Sequence, residues 1–135
     1  ESDLYRVELN PNQQHLGRAF VGLREHKSTI SDLNDEEMVE WLRVARELEG
    51  QMKRAFGAVS INWLCLMNDA LRDGKETHVH WHAVPRYNRP VTFNGHVYTD
   101  SAYPRQYNTG SDSSYFATKD EINAITRAMQ KSNRE

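Results

Sequence analysis

Between Thr77 and Tyr87 the chain reads Thr-His-Val-His-Trp-His-Ala-Val-Pro-Arg-Tyr, so His78, His80 and His82 alternate with Val79, Trp81 and Ala83. A period of two is that of a strand with one polar and one apolar face. Neighbouring imidazoles on such a strand stand about 6.6 Å apart and the outer two roughly 13 Å apart. Near neutrality an imidazole can serve as nucleophile, proton donor or phosphate contact, depending on its tautomer. One zinc ion, with nitrogen ligands at about 2.1 Å, can take a His-x-His pair from a strand but hardly a third histidine in line. No Cys or carboxylate stands nearby at ligand spacing to complete a shell. The row reads better as a rail for an extended anion, with a metal-dependent hydrolase as one alternative. A purely structural role is the other, although side chains that repel one another when protonated add little to stability. His15 and His96, taken singly, read as packed or solvated side chains.

The chain has 135 residues, 15.7 kDa, a formal charge of -2 and a pI near 6.3. That is one domain with a real core and without the global basic field that would hold long nucleic acid. Any phosphate site must be local. The single cysteine, Cys65, lies in the apolar run Ile61 to Met67, which excludes an internal disulfide and reads as core. No apolar run approaches about 18 residues and no signal peptide is visible, so a soluble cytoplasmic protein with no membrane contact is expected. The sequence opens on Glu1, as a trimmed chain would.

The elements that must position the histidines follow from the pattern. Leu4 to Leu9 alternates as a strand, Asn10-Pro11-Asn12 is a turn, and Leu16 to Leu23 forms the second arm of a hairpin. Gly17 and Gly22 mark a bulge, a bend or a close approach of backbone to ligand. Asn34 and Glu37 form a capping box, with Asp35 and Glu36 at the positive end of the helix dipole. From there Met38, Trp41, Leu42, Ala45, Leu48, Met52, Ala55 and Phe56 define a helix over 35–56 that ends at Gly57. Arg43, Arg46, Glu47 and Lys53 are its solvated face. Val59 to Asn68 reads as a central strand apolar on both faces, and 69–77 as a polar turn. Val79, Trp81 and Ala83 then pack on the long helix and leave the histidines on the other side. Asn94-Gly95 closes a further hairpin. Residues 100–116 form a long loop, and Thr118 with Glu121 caps a C-terminal helix that turns Ile122, Ile125, Ala128 and Met129 inward.

His78-Val79-His80-Trp81-His82-Ala83-Val84, followed by Pro85-Arg86, resembles the pattern that names the histidine triad (HIT) nucleotide hydrolases and transferases. His82 sets it apart from the uridylyltransferase branch, which has Gln there. The resemblance extends over about residues 5–99, with Asn10, Gly17, His26 and Asn68 at positions where the family has similar residues. It implies an α+β domain over 1–135, with a central antiparallel sheet of about five strands, one long helix and a C-terminal helix. It further implies that His80 attacks the α-phosphorus of a nucleotide, with His78 orienting the site and His82 contacting phosphate oxygens or the departing group. Asn10 would contact the ribose, Asn68 the phosphate or leaving side, and Phe20 the base, while Thr77 and backbone N–H groups would stabilise the crowded phosphorus. One departure is that Gly74-Lys75-Glu76-Thr77 replaces the usual Gly-Gln-x-Val run, so that Lys75 stands in for an amide contact or faces solvent. The substrate expected is a small nucleotide, either a dinucleoside polyphosphate or a nucleoside phosphoramidate. No cofactor is required, though a divalent cation can accompany a polyphosphate, and homodimers are frequent in the family. A non-catalytic nucleotide-binding or interaction module is the main alternative.

Overall fold

A computed structural model describes residues 2–107 and 114–134. Strand β1 (Tyr5–Leu9) pairs antiparallel with β2 (Ala19–Leu23), and β2 with β4 (His80–Arg86). On its other side β4 pairs antiparallel with β3 (Ser60–Leu64), giving the order β1-β2-β4-β3. The sheet therefore has four strands, not about five. The Asn94-Gly95 hairpin, β5 (Val91–Phe93) and β6 (His96–Tyr98), forms a separate two-stranded sheet. The long helix α1 (Asp35–Phe56) lies against one face, and α3 (Lys119–Ser132) packs on α1.

Both helix starts form as their capping boxes dictate. Asn34 accepts from the Glu37 N–H at 2.8 Å and Thr118 from the Glu121 N–H at 3.2 Å, while Gly57 closes α1 in the left-handed conformation, φ 76°. The buried stripe of α1 runs through Val44, Ala45, Leu48, Met52 and Phe56. Met38 and Leu42, expected inward, stay exposed, because the inward position of the first turn goes to Glu37, whose carboxylate takes the Lys27 ammonium at 2.6 Å. From α3, Ile125 and Met129 close the far side of the core, and Ile122 and Ala128 are half-buried. No helix among the described residues is long and apolar enough to cross a membrane.

Three boundaries differ from the sequence expectation. Strand β2 begins at Ala19, since Leu16 and Gly17 belong to a loop organised by the buried Gln13 amide. Its Nε2 donates to the carbonyls of Asn10 and Arg18, at 2.7 and 2.8 Å, and its Oε1 accepts from the Gly17 N–H at 2.8 Å. Strand β3 is an edge strand, because β4 takes the middle place between it and β2. Its Trp63 faces α1, donating to Glu49 at 2.7 Å and meeting Trp41 edge-on, while Asn62 turns to the other face and binds Arg86. The polar stretch after Met67 opens with a short helix, α2 (Asn68–Arg72), before it turns.

Cys65, just past β3, is half-buried, and burial raises its thiol pKa, so it stays protonated. Of the expected loop over 100–116, residues 108–113 lie outside the described residues.

Candidate active site

The register of β2 against β4 builds the site. Phe20 stands opposite His82 and Gly22 opposite His80, while Val21 faces Trp81 and Ala19 faces Ala83. Strand alternation thus sends Val79, Trp81 and Ala83 inward, each 6% exposed or less, with Trp81 packed between Trp41 (5.1 Å between ring centroids) and Tyr5 (6.1 Å). The three imidazoles take the opposite face and are all half-buried. The His80 and His82 rings meet edge-on at 5.2 Å, and Phe20 closes on them at 5.0 Å from His82 and 6.2 Å from His80.

The three do not play equal parts. Since a carbonyl oxygen can only accept, His80 Nδ1, 2.8 Å from the His78 carbonyl, must carry the proton. Its Nε2 lone pair is left for chemistry. His78 is tied back by Nε2, which donates to the Leu23 carbonyl at 2.6 Å, and its ring stacks on His26 at 5.2 Å and 17° between planes. His26 in turn holds Glu76 at 2.9 Å. The expected rail of three imidazoles is therefore a close pair, His80 and His82, beside a braced His78. Burial, helped by the neighbouring His80 and Arg18 and opposed by Asp69, lowers the His82 pKa to about 4, so His82 is neutral at pH 7.

The other expected site residues are placed less directly. Asn10 is buried, but its Oδ1 accepts from the Asn12 N–H at 2.9 Å and shapes the turn. Asn68 opens α2 and is exposed; its neighbour Asp69 is the charge that acts on His82. The Thr77 hydroxyl donates to the Ser28 carbonyl at 2.9 Å, which commits its proton to the backbone. Lys75 is exposed. Beside the row, Arg6, Glu8, Phe20, Gly22, Leu23, Arg24 and His78 line an open cavity of ≈ 340 Å³. No group of three or more His, Cys, Asp or Glu side chains among the described residues could hold a metal ion.

Sequence reasoning missed Arg18. It is 8% exposed, lies one residue before β2, and its guanidinium stands 5.9 Å over the Tyr107 ring. The signal was available: Arg18, Phe20 and Gly22 alternate, so the one basic side chain of that stretch shares a face with the histidines.

No protein-family model and no curated protein sequence matches the chain. Its fold, however, is shared with solved structures. It superimposes on a hypothetical histidine triad nucleotide-binding protein of Sulfolobus tokodaii with a TM-score of 0.69 at 17% identity, covering 99% of this chain and 80% of that one. A Hit-like protein of Bartonella henselae, described as involved in cell-cycle regulation, follows at 0.67 and 15%, covering 98% and 82%. A zinc-bound histidine triad family protein of Mycobacterium smegmatis gives 0.63 and 15%, covering 99% and 84%. The class defined here is the histidine triad fold, an α+β domain that carries its three histidines on and just before the inner strand β4.

Proposed function

We propose that this chain is a nucleotide hydrolase or transferase of the histidine triad kind, acting through a nucleotidyl-histidine. His80 Nε2 attacks the α-phosphorus in line. A P–N bond forms, the bond from that phosphorus to the leaving group breaks, and its electron pair departs with the leaving group. Water then attacks the same phosphorus, releases a nucleoside monophosphate and returns the electron pair to Nε2. The observation that carries this reading is the contact of His80 Nδ1 with the His78 carbonyl, which selects the tautomer whose lone pair lies on Nε2, beside a second, neutral imidazole. The role of His82 is to meet phosphate oxygens or the departing group, and that of His78 to hold the backbone and ring orientation behind His80. Phe20, next to both rings, offers an apolar surface for a base, while Asn10, Asn68 and Thr77 are assigned to the ribose and phosphates by resemblance alone.

The substrate proposed is a small nucleotide, either a dinucleoside polyphosphate or a nucleoside phosphoramidate, in the cytoplasm. No resident cofactor is needed, a divalent cation travels with a polyphosphate substrate, and the working unit is a homodimer. The test is turnover of diadenosine tetraphosphate and of a fluorogenic adenosine phosphoramidate by wild type and by His80→Ala, with intact mass spectrometry of quenched wild-type reactions. Turnover lost in the variant, with a nucleotidyl adduct on wild-type His80, supports the reading. Equal rates in both would leave a binding module.

A further inference from the structure

We propose that Arg18 is the binding residue for the leaving side of the substrate, and that it selects nucleotides whose leaving group carries a further phosphoryl group over those that release an amine. This rests on the reading above and sharpens it.

The placement comes from the sheet. Phe20 stands opposite His82, and Asn10 donates its N–H to the Arg18 carbonyl at 2.9 Å, so the ladder between β1 and β2 reaches Arg18. By alternation Arg18 shares the face of Phe20 and Gly22, one diagonal step beyond His82. A group expelled from the phosphorus that His80 attacks, on the His82 side, departs towards it.

The chemistry comes from what Arg18 lacks. Although more than nine-tenths of its surface is buried, its Nε is fully covered and has no hydrogen-bond partner, and no carboxylate forms an ion pair with it among the described residues. Tyr107 covers one side of the guanidinium and supplies a ring face, but no anion. The other deeply buried arginine, Arg86, has a carboxylate, an amide oxygen and a carbonyl on its donors. A desolvated cation without a counter-ion is costly, and its guanidinium fork fits phosphate oxygens. A second observation agrees. With a pKa near 4, His82 is a neutral imidazole at pH 7 and a poor acid for a departing amine, whereas a phosphoryl leaving group departs as an oxyanion and is helped by a positive charge beside it. In the bond-breaking step the electron pair of the P–O bond moves to the leaving oxygen, and Arg18 stabilises the charge that develops there.

The experiment uses the full chain, Arg18→Gln and Arg18→Lys. It compares kcat/KM for diadenosine tetraphosphate and an adenosine phosphoramidate, and ADP with AMP affinity by titration calorimetry. A charge-assisted contact contributes about 1.5–3 kcal/mol, so R18Q is expected to lose about 10- to 100-fold on the tetraphosphate and less than about threefold on the phosphoramidate. R18K recovers part of the loss, and a wild-type preference for ADP over AMP disappears in R18Q. Equal loss on both substrates, or none on either, overturns the proposal. Should wild type turn over neither substrate, the catalytic reading fails, and the nucleotide affinities still decide the role of Arg18. Loss of the ADP preference in R18Q then supports it, and an unchanged preference overturns it.

Discussion

The two ends of β4 bury polar side chains in opposite ways. At its far end Arg86 is 3% exposed and fully engaged: Nε and one terminal nitrogen hold Asp100 at 2.6 and 3.2 Å, Asn62 accepts at 2.9 Å and the Arg105 carbonyl at 2.6 Å. Asp100 also accepts from the Tyr87 N–H at 3.2 Å. That cluster ties β3, β4 and the segment after β6 together. Towards the histidine end the hydrogen bonding does not close. His78 Nδ1, His82 Nδ1 and, just before β2, Arg18 Nε are buried without a partner, while at the Arg86 end the ring nitrogens of His15, whose Nδ1 is 3.7 Å from Asp100, are the exception. Buried polar groups are nearly always satisfied where their task is structural, so each orphaned one calls for an explanation, of which a ligand is one. One strand thus carries, around Arg86, a network that holds the fold and, among the histidines, ring nitrogens that the fold leaves without partners.

Perturbing each end should give different readouts. The largest effect is expected at His80: His80→Ala should lose at least about 10³-fold in kcat/KM, measured on either substrate, with little change in thermal unfolding. At the closed end, Arg86→Met strands the buried Asp100 carboxylate. It should cost about 3–5 kcal/mol, read as a fall in the denaturation midpoint. A comparable loss of activity without loss of stability would reverse the roles assigned to the two ends.

Acidification should sharpen the comparison at intermediate size. Burial of His15, opposed by Asp100 and assisted by Arg86 and Arg18, lowers its pKa to about 4, as burial does for His82. Below pH 6.5 the unfolded chain gains protons on these rings that the native chain refuses. Their contribution to stability is therefore complete above pH 6.5 and is lost as pH falls towards 4. Denaturant midpoints between pH 7 and 4.5 measure it, and the slope should flatten in His15→Gln. Asp100, held below the ordinary carboxylate range by Arg86 and the Tyr87 N–H against the cost of its burial, adds its own loss only in more acid solution. The smallest effect is expected from Arg18→Met. Removing an uncompensated buried cation should leave the melting temperature within a few degrees of wild type or raise it, in contrast to Arg86→Met.

Much of this was legible in the sequence because it rests on local rules. The triad face follows from alternation, the helix ends from Asn34, Glu37, Thr118, Glu121 and Gly57, and the β5–β6 hairpin, though not its separation from the main sheet, from Asn94-Gly95. What was not legible depends on contacts far apart in the chain. The apolar run after Val59 resembles a central strand, and only the sheet order shows that β4 displaces it to the edge. Met38 and Leu42 fit the helical period, but Lys27 draws Glu37 into the inward position instead. An orienting part for His78 came from resemblance alone, and the contacts that brace it, the Leu23 carbonyl and His26, come only with the fold. The alternation of Arg18 with Phe20 and Gly22 stood in the sequence, but its burial under Tyr107 and its place beyond His82 come only with the pairing of β2 and β4.

The most direct measurement is the stereochemical course at a P-chiral, isotopically labelled α-phosphorus. Attack by His80 followed by attack of water is two in-line displacements, so overall retention of configuration is expected. Inversion would mean that water attacks the substrate in one step, and would contradict the covalent role given to His80.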